Sequence, residues 1–275
     1  FINRIPYFPD LAFQYLSRYE SVILVGADAP VAFFAYQNGR SKLLSENQQV
    51  YSLGNRSQEL EEALEQLADE VGASSKEAYS NAAEPKSSGS ILPKGQLTPE
   101  KACQVLATLQ PEGAIVVDES VTSGSIYYEL AALSPPHDWL SITGGAIGQG
   151  TPCSIGAAIA CPGRPVINLQ ADGSAMYTLQ ALWTQARENL NITTLICSNK
   201  SYNILRVEMA RAWKEPHGLP TILDLTDLGR PAINWVEISK GMGVPAVSVT
   251  TAEKLAKELS QALLEPGPHL IDMIF

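Results

Sequence analysis

The chain has 275 residues, of which 45% are apolar and 17% charged, and its formal net charge is −10. This length corresponds to about two domains of roughly 150 residues, and the apolar fraction is enough for a packed core, which excludes a largely disordered protein. The acidic balance disfavours nucleic-acid or anionic-membrane partners, because both need clustered positive charge. Since the chain begins with Phe1 and not with Met, we expect it to start partway through a longer protein.

Residues 1–71 predict the last part of an α/β domain. Helical periodicity over 9–19 precedes an apolar run at 21–26 that ends in glycine, as buried parallel strands do. After a second, weaker strand, Ser57 is placed to cap a helix over 57–71, which has an acidic first turn and leucines at helical spacing. Two strands are too few for an independent domain, so the rest of this domain is expected elsewhere.

Residues 72–96 are rich in Ser, Ala, Gly, Lys and Pro, and predict a linker. From residue 97 to 275, predicted strands alternate with predicted helices. The strands are expected at 114–118, 164–170, 192–198 and 269–275, and the helices at 99–109, 124–133, 174–188 and 253–264. This order predicts an α/β fold, a parallel sheet flanked by helices on both faces, preceded by part of a second α/β domain.

The longest uncharged run, 139–163, has enough residues for a membrane helix. Its first half is dense in glycine, and its second half begins at Pro152 as a helix of small apolar residues does. We therefore interpret the run as a loop followed by a buried helix.

The cysteines are Cys103, Cys153, Cys161 and Cys197. None belongs to a Cys-x-x-Cys pair, and the histidines lie far apart, so the spacing argues against a zinc site. Disulfides are one interpretation. Because all four cysteines lie in apolar surroundings, we favour buried, reduced thiols in a cytoplasmic protein.

Two polar residues follow consecutive predicted strands. Asp172 follows the first, and Gly173 and Ser174 after it open a helix whose N-terminal amides favour an anion. Asn199 follows the next strand, 27 residues later, and a β-α-β unit of about 30 residues makes the two strand ends adjacent. Each residue alone is also compatible with an ordinary turn. The pair favours Mg²⁺ bound to a diphosphate, because carboxylate and amide oxygens suit this ion.

These residues belong to two stretches, ADGSAMYTLQALWTQA at 171–186 and LICSNKSYNILR at 195–206. Together they resemble the motif of thiamine diphosphate-dependent enzymes, Gly-Asp-Gly followed further on by Asn-Asn. The chain is similar to the acetolactate synthase-like and benzoylformate decarboxylase-like branch over 97–275 and, weakly, over 1–71. Ala171 and Ser198 replace the first Gly and the first Asn. We expect both to be tolerated, Ala171 at some cost in cofactor affinity.

The resemblance implies a set of cofactor contacts. Asp172 and Asn199 would bind the metal through their side chains, and Ser201 through its backbone carbonyl. The carbonyl of Gly145 would accept from the 4′-amino group of thiamine, and Ile147 would support the bend of the cofactor, although local packing also explains this isoleucine. The implied cofactor-binding residues are Glu119, Ser120, Val121, Thr122, Gly145, Ala146, Ile147, Ala171, Asp172, Gly173, Ser174, Asn199, Ser201, Tyr202, Asn203 and Ile204. Of these, Glu119 is equally compatible with a surface position.

The resemblance also implies the chemistry: decarboxylation or carboligation of a 2-oxo acid, in a homodimer or dimer of dimers. In this family a glutamate on a separate pyrimidine-binding domain, usually from the partner subunit, activates the cofactor. No carboxylate of this chain can be assigned that role, so the chain is expected to carry half of an active site.

Two other functions are compatible with parts of the sequence. A nicotinamide dinucleotide domain needs Gly-x-Gly-x-x-Gly directly after a strand, and the glycines at 145–150 match it only superficially, with no clear strand before them. A non-catalytic, cofactor-binding half that needs a partner chain cannot be separated from part of an enzyme by sequence.

Overall fold

The computed structural model describes residues 2–36, 39–73, 91–212 and 219–275. The chain divides into two compact units, residues 1–83 and 84–275. In the first unit the strands β1 (Ser21–Val25) and β2 (Gln49–Leu53) pair in parallel, and the helices α1 (Pro9–Leu16) and α2 (Leu60–Glu70) accompany them. The predicted linker falls mainly on residues 74–90, which lie outside the described ranges.

The predicted cap of the helix in the first unit is wrong. α2 begins at Leu60, its N-cap residue is Glu59, and no side chain caps it. The Ser57 hydroxyl instead donates to Asn55 Oδ1 at 2.5 Å, while the Asn55 amide donates to Gln58 Oε1 at 2.9 Å. These local bonds form a polar turn that occupies the residues where the helix was expected to begin, because short polar side chains compete with the helical backbone.

The second unit contains a six-stranded, fully parallel sheet with the strand order β4-β3-β5-β6-β8-β7. Its strands are β3 (Ile115–Glu119), β4 (Asp138–Ser141), β5 (Val166–Ala171), β6 (Ile192–Ser198), β7 (Ala246–Val249) and β8 (His269–Ile274). Its α-helices are α3 (Pro99–Leu109), α4 (Tyr127–Leu130), α5 (Gly150–Ala160), α6 (Asp172–Ala175), α7 (Ala181–Arg187), α8 (Asn203–Ala212), α9 (Leu219–Leu225), α10 (Trp235–Gly241) and α11 (Ala252–Leu264). The predicted fold class is confirmed.

Apolar side chains cover both faces of the sheet. On one face, α3, α4 and α11 pack against alternate residues such as Val116 and Leu195. On the other face, α5 packs against Ile115, and α7 and α10 pack against Ile196. The connection that leaves β3 runs to the first face, and the connection that leaves β5 runs to the second. The crevice between the carboxyl ends of these neighbouring strands is therefore a topological switch point, where α/β sheets bind ligands.

Several element boundaries differ from those that the sequence predicts. The helix expected at 174–188 is two helices, α6 and α7, because the chain turns between 176 and 180. The helix expected at 124–133 begins at Tyr127 and continues as a short 3₁₀ turn. The edge strands β4 and β7, each four residues long, and the helices α8, α9 and α10 were not predicted.

The uncharged run at 139–163 contains most of β4, a loop and α5. It is not one long helix, in agreement with the prediction of a loop followed by a helix. Among the helices of the described ranges, none has both the length and the apolarity needed to cross a bilayer.

The four cysteines are free thiols. Cys103 and Cys197 are buried, and Cys153 and Cys161 are half-buried. Burial raises the pKa of Cys103 to about 12, with the charge of Asp118 contributing. Since the thiolate is the reactive form, Cys103 is chemically inert at neutral pH.

Candidate active site

Asp172 and Asn199 lie at the adjacent carboxyl ends of β5 and β6, as their spacing predicts. Ala171 pairs with Cys197 in the register of the two strands. The backbone amide of Lys200 donates to Asp172 Oδ2 at 2.7 Å, and the amide of Gly173 donates to Oδ1 at 2.8 Å. One carboxylate therefore connects the loops that follow two neighbouring strands.

Asp172 is deeply buried, with 2% of its surface exposed. Burial raises the pKa of this carboxyl group to about 6, although the amide bonds from Lys200 and Gly173 act in the opposite direction. A second buried acid, Asp272 on β8, raises it slightly further. The site thus holds two acidic side chains with little exposure, and a bound cation would stabilise their negative charge.

The loop after β6 arranges further oxygen atoms beside Asp172. Asn199 Oδ1 accepts from the Ser201 amide at 2.9 Å, and Ser201 is buried. Lys200 has a positive φ of 58°, a conformation that L-residues seldom adopt. Its amide is held by Asp172, and its carbonyl accepts from the Leu228 amide at 2.8 Å. The loop is therefore fixed from two sides.

The segment around Thr226 and Leu228 is a part of the site that sequence reasoning missed. The Tyr202 amide donates to the Thr226 carbonyl at 2.9 Å, and Ser201 forms a β-bridge with Asp227. These contacts are between backbone groups and join residues about 25 positions apart, so they cannot be predicted from the pattern of side chains. The segment supports the loop that was predicted to hold the metal.

Gly173 is packed closely against the ring of Tyr202. A Cβ atom built on Gly173 would lie 2.6 Å from Tyr202 Cδ1, which leaves no room for a side chain. Ser174 is buried one residue further along α6. Asn203 and Ile204 are half-buried and begin α8 directly after Tyr202. The predicted diphosphate residues of the two loops are thus brought together.

Neither departure from the Gly-Asp-Gly and Asn-Asn motif disturbs this arrangement. Ala171 has ordinary extended backbone angles, with φ −82° and ψ 146°. The hydroxyl of Ser198 donates to the buried carboxylate of Asp272. Both residues line a small cavity with Asp172 and Lys200, so the Ser198 hydroxyl lies near the metal loops and is engaged by a second acid.

The loop after β3 is wound tightly and touches the Asn199 loop. The amide and the hydroxyl of Ser120 both donate to Asp118 Oδ1, at 3.0 and 2.5 Å. Val121 has a positive φ of 54°, which is strained for a β-branched residue, and Thr122 is half-buried. Asn199 Nδ2 donates to Ser123 Oγ at 3.3 Å. This bond places the predicted 120–122 contacts beside the predicted metal ligands.

The fourth loop, residues 143–149, runs from β4 to α5. Gly145 and Ala146 are exposed and Ile147 is half-buried. The Gly145 carbonyl accepts from the Ile147 amide at 3.0 Å and keeps a second lone pair for another donor. Glu119, the last residue of β3, is almost fully buried and accepts hydrogen bonds from the backbone of this loop. The interpretation of Glu119 as a surface residue is therefore wrong.

The sequence argument that no strand precedes the glycines at 145–150, used against a nicotinamide dinucleotide domain, is also wrong. A strand does lead into the 143–149 loop, because β4 ends at Ser141. This strand was overlooked because it is short and lies at the edge of the sheet, with alternately exposed residues. The loop that β4 precedes is bonded to Glu119 at the end of β3 and to Thr178 after α6, next to the switch point.

The predicted metal ligands are oxygen atoms of one carboxylate, one amide and one backbone carbonyl. Within the described ranges, no group of three or more His, Cys, Asp or Glu side chains is arranged to hold a metal. The donor set here is of another kind, since it contains only one acidic side chain. Hard oxygen donors of this type, completed by phosphate oxygens, suit Mg²⁺.

Comparison with known proteins identifies the class to which this fold and site belong. Residues 122–273 match the family described as thiamine pyrophosphate enzyme, C-terminal TPP binding domain. The chain belongs to this family of thiamine diphosphate-dependent enzymes.

Two relatives within this family are similar to the chain in sequence. The chain is 45% identical, over 99% of its length, to a Mycobacterium tuberculosis protein provisionally named acetolactate synthase large subunit IlvX, of which it covers 52%. It is 32% identical, over 65% of its length, to benzoylformate decarboxylase from Pseudomonas aeruginosa, of which it covers 32%. The chain thus spans about half the length of the first relative, and less of the second.

A solved structure shares the fold. The thiamine diphosphate-dependent 4-hydroxybenzoylformate decarboxylase of Rhodococcus jostii RHA1 superposes with a TM-score of 0.75 at 23% identity, over 98% of this chain and 51% of that one. The resemblance to the thiamine diphosphate-dependent branch is confirmed.

Proposed function

We propose that this chain binds the diphosphate of thiamine diphosphate through Mg²⁺. Asp172 and Asn199 would bind the ion through side-chain oxygens, and Ser201 through its carbonyl. The observation that carries the proposal is the carboxylate of Asp172, which bonds the amides of Gly173 and Lys200 and so brings both predicted metal loops to one point. The cation would supply the counter-charge for this buried acid, and phosphate oxygens would complete its coordination.

The residues present fit the cofactor. At Gly173 a side chain would strike the Tyr202 ring, so the glycine allows the Asp172 loop and the Tyr202 segment to lie in close contact. The loop at 120–122 and the loop at 143–149 open on the same edge of the sheet, on either side of Glu119. We assign the diphosphate to the 120–122, 172–174 and 199–204 segments. The aminopyrimidine belongs with Gly145, Ala146 and Ile147.

When bound, thiamine diphosphate would supply a nucleophilic carbon for 2-oxo acids and a ring that accepts the electron pair released with CO₂. The chain's own residues hold the cofactor in place for this chemistry. Ile147 would offer an apolar surface to the bent cofactor, and the Gly145 carbonyl would accept a hydrogen bond from its amino group. We assign the activating carboxylate to a pyrimidine-binding domain on another part of the protein or on its partner subunit.

We propose decarboxylation and carboligation of 2-oxo acids, of the acetolactate synthase type, as the reaction. The 45% identity to the M. tuberculosis protein, over nearly the whole chain, favours this type. The second candidate is decarboxylation of a benzoylformate-type acid, which the Pseudomonas relative favours. In this proposal residues 1–71 are the end of a central domain, 72–96 are a linker, and 97–275 are the diphosphate-binding domain of a cytoplasmic homodimer or dimer of dimers.

Calorimetric titration of the protein in its native length with thiamine diphosphate tests the cofactor site. We expect binding that requires Mg²⁺ and is lost in Asp172→Ala. Asp69→Ala, which removes an exposed acid on α2, is the matched control and should leave the affinity unchanged. Binding that persists without Mg²⁺, or in Asp172→Ala, would reject the assignment.

The reaction is tested with the protein in its native length, assayed for CO₂ release and for acetolactate with pyruvate and benzoylformate as substrates. Acetolactate from pyruvate would support the first candidate, and CO₂ release from benzoylformate alone would support the second. Cofactor binding without turnover of any 2-oxo acid would instead indicate a non-catalytic, cofactor-binding chain.

A further inference from the structure

Glu119 holds the 143–149 loop from a neighbouring strand. Its side chain is 1% exposed, and its two carboxylate oxygens accept from different backbone amides, Oε1 from Gly148 and Oε2 from Gly150. The Gln170 amide group, on β5, lies 3.4 Å from Oε2. Hydrogen bonds to an ionised carboxylate are about twice as strong as neutral ones. One side chain thus fixes the end of the loop and the start of α5.

The loop does not provide this cap itself. Gln149 is the N-cap residue of α5, but its side chain makes no capping bond. It turns back along the loop, where its Oε1 accepts from the Thr143 amide at 3.1 Å. The first amide of the helix is therefore satisfied by Glu119, and a negative charge at a helix N-terminus is favourable.

The glycines of the loop are fitted to this carboxylate. A Cβ atom on Gly150 would lie 2.2 Å from Gln170 Nε2 and 2.8 Å from Glu119 Oε2, so only glycine allows this approach to the two side chains. Gly148 has a positive φ of 92°, and its carbonyl accepts from Thr178 Oγ1 at 2.9 Å. Gly148 is thus held at both its amide and its carbonyl, directly after Ile147.

We propose that Glu119 is a positioning residue that sets the place of Gly145 and Ile147 for the pyrimidine half of the cofactor. Both of its oxygens are engaged by the loop, so it acts through the loop and does not contact the cofactor. The hydrogen bonds of the Glu119 side chain go to Gly148, Gly150 and Gln170. Asp172 and Asn199 belong to other loops, so the metal half of the site has separate support, although Ser120 of the diphosphate segment follows Glu119 in the chain. This inference rests on the proposed function and divides its site into two separately supported parts.

The affinities for two ligands distinguish the pyrimidine half of the site from the metal half. Thiamine diphosphate with Mg²⁺ uses both, and inorganic pyrophosphate with Mg²⁺ uses only the metal half. In Glu119→Gln one accepting oxygen becomes an NH₂ donor that faces a backbone N–H. We expect the affinity for thiamine diphosphate to fall about 10- to 100-fold and that for pyrophosphate to stay within about twofold. Glu129→Gln, at an exposed position on α4, is the control and should change neither affinity.

A merely structural role would lower both affinities by the same factor, and that result, or no change in either, would overturn the proposal. Hydrogen–deuterium exchange gives a second readout, without ligand: amides of 143–150 should exchange faster in the variant, and those of 199–202 at the wild-type rate. Should Glu119→Gln fail to fold, Glu119→Asp keeps the charge but shortens the reach, and should show the same split. All of these measurements use the protein in its native length, and wild-type protein that binds neither ligand would indicate failure of the proposed function instead.

Discussion

Replacing Gly173 by alanine tests the closest contact of the candidate site. The new Cβ would lie 2.5 Å from Cε1 and 2.6 Å from Cδ1 of Tyr202, whereas ordinary contacts begin near 3.4 Å. The glycine's backbone φ is not positive, so alanine introduces a clash without backbone strain. Either the tyrosine ring or the start of α6 must move by about 1 Å, and the second choice displaces Asp172.

The expected cost follows from these distances. Overpacking of this kind costs typically about 1–3 kcal/mol. Alanine recovers about 0.5–1 kcal/mol over glycine because it loses less backbone freedom on folding. We therefore expect Gly173→Ala to lower the free energy of unfolding by about 1–2 kcal/mol and to weaken binding of thiamine diphosphate.

Urea unfolding, followed by far-ultraviolet circular dichroism, measures the change in stability. Gly156→Ala on α5 is the matched control: its Cβ would meet nothing within 4 Å, so alanine should stabilise the chain by about 0.5–1 kcal/mol. In a Tyr202→Ala background the cost of Gly173→Ala should disappear, because the ring it strikes is gone. A cost that persists in that background, or a Gly173→Ala chain as stable as wild type, would refute this account of the contact.

Three further predictions concern stability and reactivity. The Tyr127 hydroxyl donates to the buried Oε1 of Gln110, so Tyr127→Phe removes the donor to this oxygen and should cost about 1–3 kcal/mol in urea unfolding; a neutral result would contradict the bond. Thr251→Ala removes the N-cap of α11 and should cost about 1 kcal/mol, whereas Ser57→Ala, where no helix is capped, should cost less than half of that. Cys103, with a pKa of about 12, should escape iodoacetamide between pH 7 and 9 and react only in urea, as peptide mass spectrometry would show; labelling of the native chain that rises with pH would contradict its burial.

The sequence was sufficient for the fold class and for the strands at the centre of the sheet. β5 and β6 are uncharged runs rich in aliphatic and β-branched residues, and almost every residue in them is buried, as in central strands of a parallel sheet. The edge strands β4 and β7 have only four residues each and are partly exposed, so their composition does not differ from that of loops. Their place in the sheet follows from pairing with a neighbour, which a local pattern does not contain.

For the candidate site, the sequence predicted which loops meet but not what holds them. The adjacency of Asp172 and Asn199 followed from the length of one β-α-β unit, and the structure bears it out. The bonds from Glu119 to Gly148 and Gly150 join residues about 30 positions apart, and depend on where β3 ends relative to α5. The break after α6 was missed for a local reason, because the helical periodicity of the sequence continues through the turn.

The extended backbone of Ala171 bears on how chains of this kind are recognised. Its angles are accessible to every L-residue, so this position places no demand for glycine on the chain. A diagnostic pattern that insists on the first glycine would discard this sequence although Asp172 and Gly173 stand where the contacts are made. A pattern built on the acid, the glycine that follows it and the asparagine of the next strand would retain it, and would gather divergent members that a stricter consensus leaves out.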